Sequence, residues 1–232
     1  VGKTGVAVEL GRLLRERGEE PVAVNCDALQ VYEGLGVLTG VASAEQQAEL
    51  EHRLVGFVPI GEDFNVGRYM PLAHVEIDAA LTAGRRPIVV GGTGLYLRAA
   101  VAELSLEKVP AESSDSELWS AETRHPTVIF GLDMDRAALY ERIGARTEAI
   151  VAGGALEEVE RAERLGPGRS ARKALGFDEV LSGDLEAMKK RSRNYARRQL
   201  TWMRKIPGVV TIDRTGLSDA EVATRIAAGL SD

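Results

Sequence analysis

The sequence has one cysteine, Cys26, and three scattered histidines, His52, His74 and His125. A lone cysteine excludes a disulfide framework and any cysteine-based zinc site, and histidines without metal-ligand spacing give no metal centre. No apolar run approaches the roughly eighteen residues that a membrane-spanning helix needs, and no charged-then-apolar leader precedes a small-residue cleavage site. A cytoplasmic protein without membrane contact is therefore expected; a monomer is taken as its state, although the sequence itself does not fix it. Aromatic residues are scarce at 5%, but hydrophobic residues make up 44% of the 232, enough for one sizeable core or one core with a small appendage.

Acidic residues are absent from one conspicuous place. Residues 189–205 carry eight basic side chains and no acidic one, whereas residues 1–188 carry 19 basic and 31 acidic. The overall charge of −6 conceals this asymmetry. A charged run is ordinarily a solvated helix face, but a purely basic one on an acidic body is better read as a surface for a phosphate backbone.

Short apolar runs alternate with helical patterns along the chain. Strands are predicted at Pro21–Cys26, Pro87–Val90, Thr127–Leu132 and Val209–Ile212. Helices are predicted at Ser43–Leu50, Val66–Ala83, Asp135–Ala152, Ala155–Leu165, Leu185–Ile206 and Asp219–Leu230, and an amphipathic pattern (Val6, Leu10, Leu13, Leu14) begins at once. This alternation implies an α/β fold: a parallel sheet of the P-loop NTPase type with helices on both faces. The polar stretch Pro110–Ser116, within 103–126, reads as a linker.

The chain opens on Val1-Gly2-Lys3-Thr4 directly before a helical pattern. Gly-Lys-Thr there matches the end of the loop G-x-x-x-x-G-K-[ST], whose backbone N–H groups cradle phosphates while Lys supplies charge and Ser/Thr ligates Mg²⁺. It is equally compatible with a plain helix start. On the phosphate reading, an earlier glycine and a first strand precede the sequence. Ligands of parallel sheets bind beyond the carboxyl ends of the strands, and Asp27, Thr93 and Gly2-Lys3-Thr4 fall at such ends. Taken singly, Asp27 could be a turn or cap residue and Thr93 a helix cap after the turn Gly91-Gly92. No strand ends in the acidic residue that P-loop ATPases use to hold Mg²⁺, which argues against a motor or switch NTPase. Cys26, on a buried strand, reads as an inert core thiol.

Seven segments in order resemble the bacterial tRNA dimethylallyltransferase family. They are Val1–Thr4, Val24–Tyr32 (VNCDALQVY), Phe64–Tyr69 (FNVGRY), Gly91–Tyr96 (GGTGLY), Leu139–Arg146 (LYERIGAR), Ala174–Glu179 (ALGFDE) and Arg193–Trp202 (RNYARRQLTW). The resemblance implies transfer of a dimethylallyl group from its diphosphate to N6 of the adenosine next to a tRNA anticodon. It implies Asp27, Thr93 and Arg146 as catalytic residues, Gly2, Lys3 and Thr4 at the diphosphate, and Mg²⁺ on Thr4. It implies tRNA contacts at Asp27, Ala28, Leu29, Gln30, Lys173, Gly176, Arg193, Tyr195, Arg197, Arg198 and Trp202. The catalytic core would comprise 1–102 and 127–232, with 103–126 a reduced form of an inserted helical tRNA-gripping subdomain.

Two further departures from the family pattern concern charge. Gly34–Ala42 (GLGVLTGVA) stands where the family has Gly-Met-Asp-Ile-Gly-Thr-Ala-Lys-Pro, so that loop has neither its acidic nor its basic side chain. Asp178 stands where a lysine is common. A P-loop kinase acting on a nucleotide or small metabolite shares the sheet and phosphate loop, but leaves the basic helix without a task. A non-catalytic RNA-binding protein leaves Asp27, Thr93 and Lys3-Thr4 without one.

Overall fold

All five residues of Pro21–Asn25 (β1) are buried, and a strand buried on both faces belongs at the centre of its sheet. The computed structural model, which describes residues 2–104 and 117–230, pairs β1 in parallel with His52–Arg53 (β2) on one side and Arg86–Val90 (β3) on the other. Phe130–Asp133 (β4) and Val210–Asp213 (β5) form a second parallel pair. Every ladder is parallel, as the alternation of strands and helices requires.

The strands thus come as two parallel pieces rather than one continuous sheet. Among the described residues no ladder joins β3 to β4. Between them lies an elongated, mostly apolar cavity of about 390 Å³, walled by Ile88, Val90, Phe130, Leu132, Leu10 and Met203. Strand β4 also starts at Phe130 rather than Thr127. The hydroxyls of Thr123 and Thr127 both donate to the His125 carbonyl, a local pattern that competes with a ladder. The stretch Pro110–Ser116, expected as a linker, lies outside the described residues.

Ten α-helices among the described residues surround these strands: Lys3–Glu16 (α1), Gly36–Thr39 (α2), Ala44–Glu49 (α3), Val66–Thr82 (α4), Gly94–Val101 (α5), Arg136–Ala152 (α6), Ala155–Leu165 (α7), Phe177–Ser182 (α8), Leu185–Met203 (α9) and Asp219–Ala228 (α10). None of them is long and apolar enough to cross a membrane. Five of their starts follow from capping chemistry. Asn65 accepts from the Arg68 N–H, Asp135 from those of Ala137 and Ala138, and Asp184 from that of Ala187. Ser43 with Gln46 and Ser218 with Glu221 form capping boxes. Helix α1 packs on α10 through Val6, Leu10, Leu14, Val222 and Ile226. The main core is built on β1, α4, α5, α7 and α8 around Val24, Tyr69, Ala99, Val159 and Phe177. This packing sets the carboxyl ends of β1 and β3 beside the start of α1 and the side of α9.

Candidate active site

The chain leaves β1 under tight local control. The Cys26 N–H donates to the Val90 carbonyl at 2.8 Å, continuing the β1–β3 ladder by one residue. Asn25 then accepts from the Asp27 N–H at 3.0 Å and donates to the carbonyls of Asp27 and Leu54. Its own carbonyl accepts from the buried Tyr69 hydroxyl at 2.8 Å. One carboxylate oxygen of Asp27 accepts from the Leu29 N–H at 3.0 Å. The turn reading of Asp27 therefore holds for one oxygen, and the other makes no hydrogen bond among the described residues.

Thr93 precedes α5 but does not cap it. Its hydroxyl instead accepts from the Ala28 N–H at 3.2 Å, tying the end of β3 to the Asp27 turn. Gln199 of α9 donates to the Gly92 carbonyl at 2.7 Å. Tyr195, one helical turn earlier, brings its phenol near the side chains of Thr93 and Gln199. Burial pushes its phenol upward, and the negative charge of Asp27 adds to that shift. The basic helix, the Gly-Gly-Thr turn and the Asp27 turn are thus one structure.

Two cations complete it. Burial lowers the pKa of Lys3, which Asp27 opposes and Arg146 reinforces. Desolvation likewise lowers the pKa of Arg146, and Asp27 opposes it. Arg146 donates to the Thr39 carbonyl at 3.1 Å. Gly2 has φ +80° and leaves the first N–H groups of α1 without a side-chain cap, so Thr4 lies in the first turn of an open helix N-terminus of positive potential. A Cβ on Gly2 would lie 2.2 Å from the guanidinium of Arg214 and 3.1 Å from that of Arg142. Arg142 is a site neighbour that the sequence pattern does not single out. Its signal was its position four residues before Arg146, on the same face of α6.

The residues expected at RNA divide. Arg193, Arg197, Arg198 and Trp202 line one length of α9, Arg198 over the Tyr195 ring at 5.5 Å and Arg193 over Tyr140 at 5.6 Å. Arg197 donates to Asn194. Trp202 lies against Gly94 and meets the Trp119 ring at a tilt of 49°, centroids 5.0 Å apart. Ala28 and Leu29 are half-buried against the main core, and Gln30 donates to the carbonyls of Thr39 and Gly40. Lys173 is exposed beside α9, its carbonyl accepting from Arg191. Gly176, however, is turned inward: it is buried, and a Cβ there would lie 2.6 Å from Met188 and 3.0 Å from Leu38. It allows close packing before α8, at φ +100°.

Cys26 is buried and its thiol is raised well above the ordinary value by that burial, as expected of an inert core residue. Among the described residues no three His, Cys, Asp or Glu side chains gather to hold a metal.

Parallel strands that present a carboxylate, two cations and an open helix N-terminus at their carboxyl ends define an α/β transferase. The chain belongs to the IPP transferase family, whose model matches residues 30–125 and 107–206. It is 34% identical over 276 positions to a tRNA dimethylallyltransferase of Anaeromyxobacter dehalogenans (strain 2CP-C), covering 91% of each chain. It is 35% identical over 274 positions to one from Rhodospirillum centenum, covering 88% of this chain and 85% of that one. Both alignments are longer than the 232 residues present, so these relatives carry residues without a counterpart here. Among solved structures, the full-length tRNA isopentenylpyrophosphate transferase of Bacillus halodurans superposes with a TM-score of 0.82 at 26% identity, over 99% of this chain and 93% of that one.

Proposed function

We propose that this protein transfers a dimethylallyl group from dimethylallyl diphosphate to the exocyclic N6 of an adenosine beside the anticodon of tRNA. The observation that carries the reading is Gln199: a residue of the basic helix donates to the Gly92 carbonyl at 2.7 Å, and Thr93, next in the chain, accepts from the Ala28 N–H beside Asp27 at 3.2 Å. An RNA-facing surface and a phosphate-facing helix start therefore converge on one carboxylate.

In the reaction N6 attacks C1 of the dimethylallyl group, the C1–O bond breaks, and inorganic diphosphate leaves with the bond's electron pair. The N6 proton passes to the free oxygen of Asp27, whose other oxygen stays fixed by Leu29. Such general-base assistance contributes about 10²–10⁴-fold. Thr93 and Tyr195 position the adenine edge, and a base leaving its stack to reach this cleft suits the arginines of α9 on its flanking backbone. Lys3, Arg146 and the open start of α1 face the departing negative charge. Mg²⁺, held by the Thr4 hydroxyl together with diphosphate oxygens, would neutralise part of that charge. Residues 103–126 stand as a short counterpart of an RNA-gripping subdomain on the core 1–102 and 127–232.

The test is transfer of labelled prenyl from dimethylallyl diphosphate to unmodified tRNA. Asp27→Ala is expected to lose about 10²–10⁴-fold in rate and to keep its tRNA affinity. Phosphorylation of a small acceptor by ATP, with no label in tRNA, would overturn the proposal in favour of a kinase.

A further inference from the structure

The loop Gly34–Ala42 contains no charged side chain, yet two residues of the site depend on it. Arg146 donates to the Thr39 carbonyl at 3.1 Å, and Gln30 donates to the carbonyls of Thr39 and Gly40 at 3.2 and 2.9 Å. The loop acts through its main chain, so its use depends on how firmly those carbonyls are held. Gly40 sits at φ +67°, and a Cβ there would meet the Arg146 guanidinium at 2.4 Å. The approach of Arg146 is thus shaped to bare backbone.

What holds the loop comes from elsewhere in the sequence. Helix α2 is a single turn, and its N-cap, Leu35, has no side-chain acceptor for the first N–H groups, which must find partners when buried. Glu158 of α7 supplies both. One carboxylate oxygen accepts from the Val37 N–H at 3.0 Å and the other from the Leu38 N–H at 2.7 Å, and the residue is only 6% exposed. A buried carboxylate spent on two backbone donors 120 positions away is an expensive way to keep one helical turn in place. That turn ends at Thr39 and Gly40.

We infer that Glu158 is a positioning residue for the transfer reaction: by capping α2 from α7 it fixes the Thr39 carbonyl against which the Arg146 guanidinium is set. The inference rests on the proposed function in that Arg146 faces the leaving diphosphate. Glu158 itself lies under the loop and touches neither substrate. Glutamine keeps the shape and one acceptor oxygen but cannot accept at its amide nitrogen, so Glu158→Gln removes one of the two bonds with little loss of packing.

A double-mutant cycle separates positioning from mere stabilisation. Glu158→Gln is expected to lower kcat for prenyl transfer about 10- to 100-fold, the range for a small misplacement of a reacting group, with the KM for tRNA unchanged. In an Arg146→Ala background the same change is expected to cost less than about twofold, because the residue it positions is gone. Equal losses in both backgrounds would overturn the inference and leave the proposed function standing. A second measurement needs no turnover: modification of Arg146 by phenylglyoxal, followed by peptide mass, is expected to quicken in Glu158→Gln as its hold on Thr39 loosens. An unchanged rate would overturn the inference even if the protein transferred no prenyl group, the outcome that would instead defeat the functional reading.

Discussion

Gly91 and Gly92 adjoin in sequence, but the space around them differs in kind. A Cβ on Gly91 would lie 2.4 Å from the Cys26 carbonyl carbon and 2.5 Å from its oxygen, and that backbone is fixed in the ladder by its bond to Val90. A Cβ on Gly92 would meet the end of the Gln199 side chain instead, which can turn aside. Gly91→Ala is therefore expected to lose roughly 1–3 kcal/mol of stability by overpacking, whereas Gly92→Ala loses only the hydrogen bond of Gln199, about 1 kcal/mol. Urea unfolding of the two variants decides it, and equal midpoints would show that the β1–β3 approach is not rigid. Lys3 yields a pH prediction. Its pKa is lowered by burial in the folded protein, so between that lowered value and the ordinary value of 10.5 the unfolded chain binds more protons, and this group's contribution to stability rises with pH. Diphosphate binding runs the other way, because it uses the protonated form. Affinity for inorganic pyrophosphate should fall with rising pH from a point below 10.5, and the difference between wild type and Lys3→Met should shrink through the same window. A difference constant with pH would remove Lys3 from the diphosphate site.

At the scale of elements, α9 divides into two lengths that the sequence presents as one. Lys189 pairs with Glu148 and Glu186, and Arg191 with Glu179, so two of the three cations that begin the run are matched by carboxylates. Arg193, Arg197, Arg198 and Arg204 form no ion pair with a carboxylate among the described residues. The basic run was legible from composition, since no acidic residue interrupts it. Its division was not, because the neutralising carboxylates lie on α6 and before and within α9's own first turn, set there by packing. Salt dependence of tRNA binding reads the difference. Arg197→Ala and Arg198→Ala should each reduce the slope of log affinity against log salt by about 0.7–0.9, the value for one phosphate contact, while Lys189→Ala should leave it unchanged. Equal slopes for all three would mean that the paired and unpaired lengths meet the RNA alike. The turns after β1 and β3 show the same limit of sequence reading. Asp27 and Thr93 stand out because they follow strands, but that Thr93 receives the Ala28 N–H rather than capping α5 depends on how β1 and β3 align across 65 residues.

For the whole molecule, alternation of strands and helices was enough to give the α/β class and the parallel direction, because a strand–helix–strand crossover permits little else. It did not give the division into β2-β1-β3 and β4-β5, which rests on what lies between β3 and β4, nor the role of Glu158, whose clients are backbone groups with no mark in the sequence. The division has a consequence for stability. Strand β1 is paired on both sides and wholly buried, whereas β5 pairs, among the described residues, with β4 alone and has three of its four residues exposed. A two-stranded ladder is marginal by itself and depends on the helices packed over it; here Ile212, Phe130 and Leu132 lie with Val6, Leu10 and Ile226 of α1 and α10 in a cluster separate from the main core. Local opening follows buried contacts and paired backbone. Amide exchange followed by mass spectrometry should find residues 22–25 among the slowest, with an opening free energy near that of global unfolding, and residues 210–213 exchanging earlier together with 130–133. Leu14→Ala, which removes a fully buried side chain from the smaller cluster, should cost about 2–5 kcal/mol and widen the gap by hastening β4 and β5 while the β1 amides stay slowest. If both sets instead quickened in step, the two sheets would open as one cooperative unit, and α1 would be bracing the Asp27 turn as firmly as it braces β5.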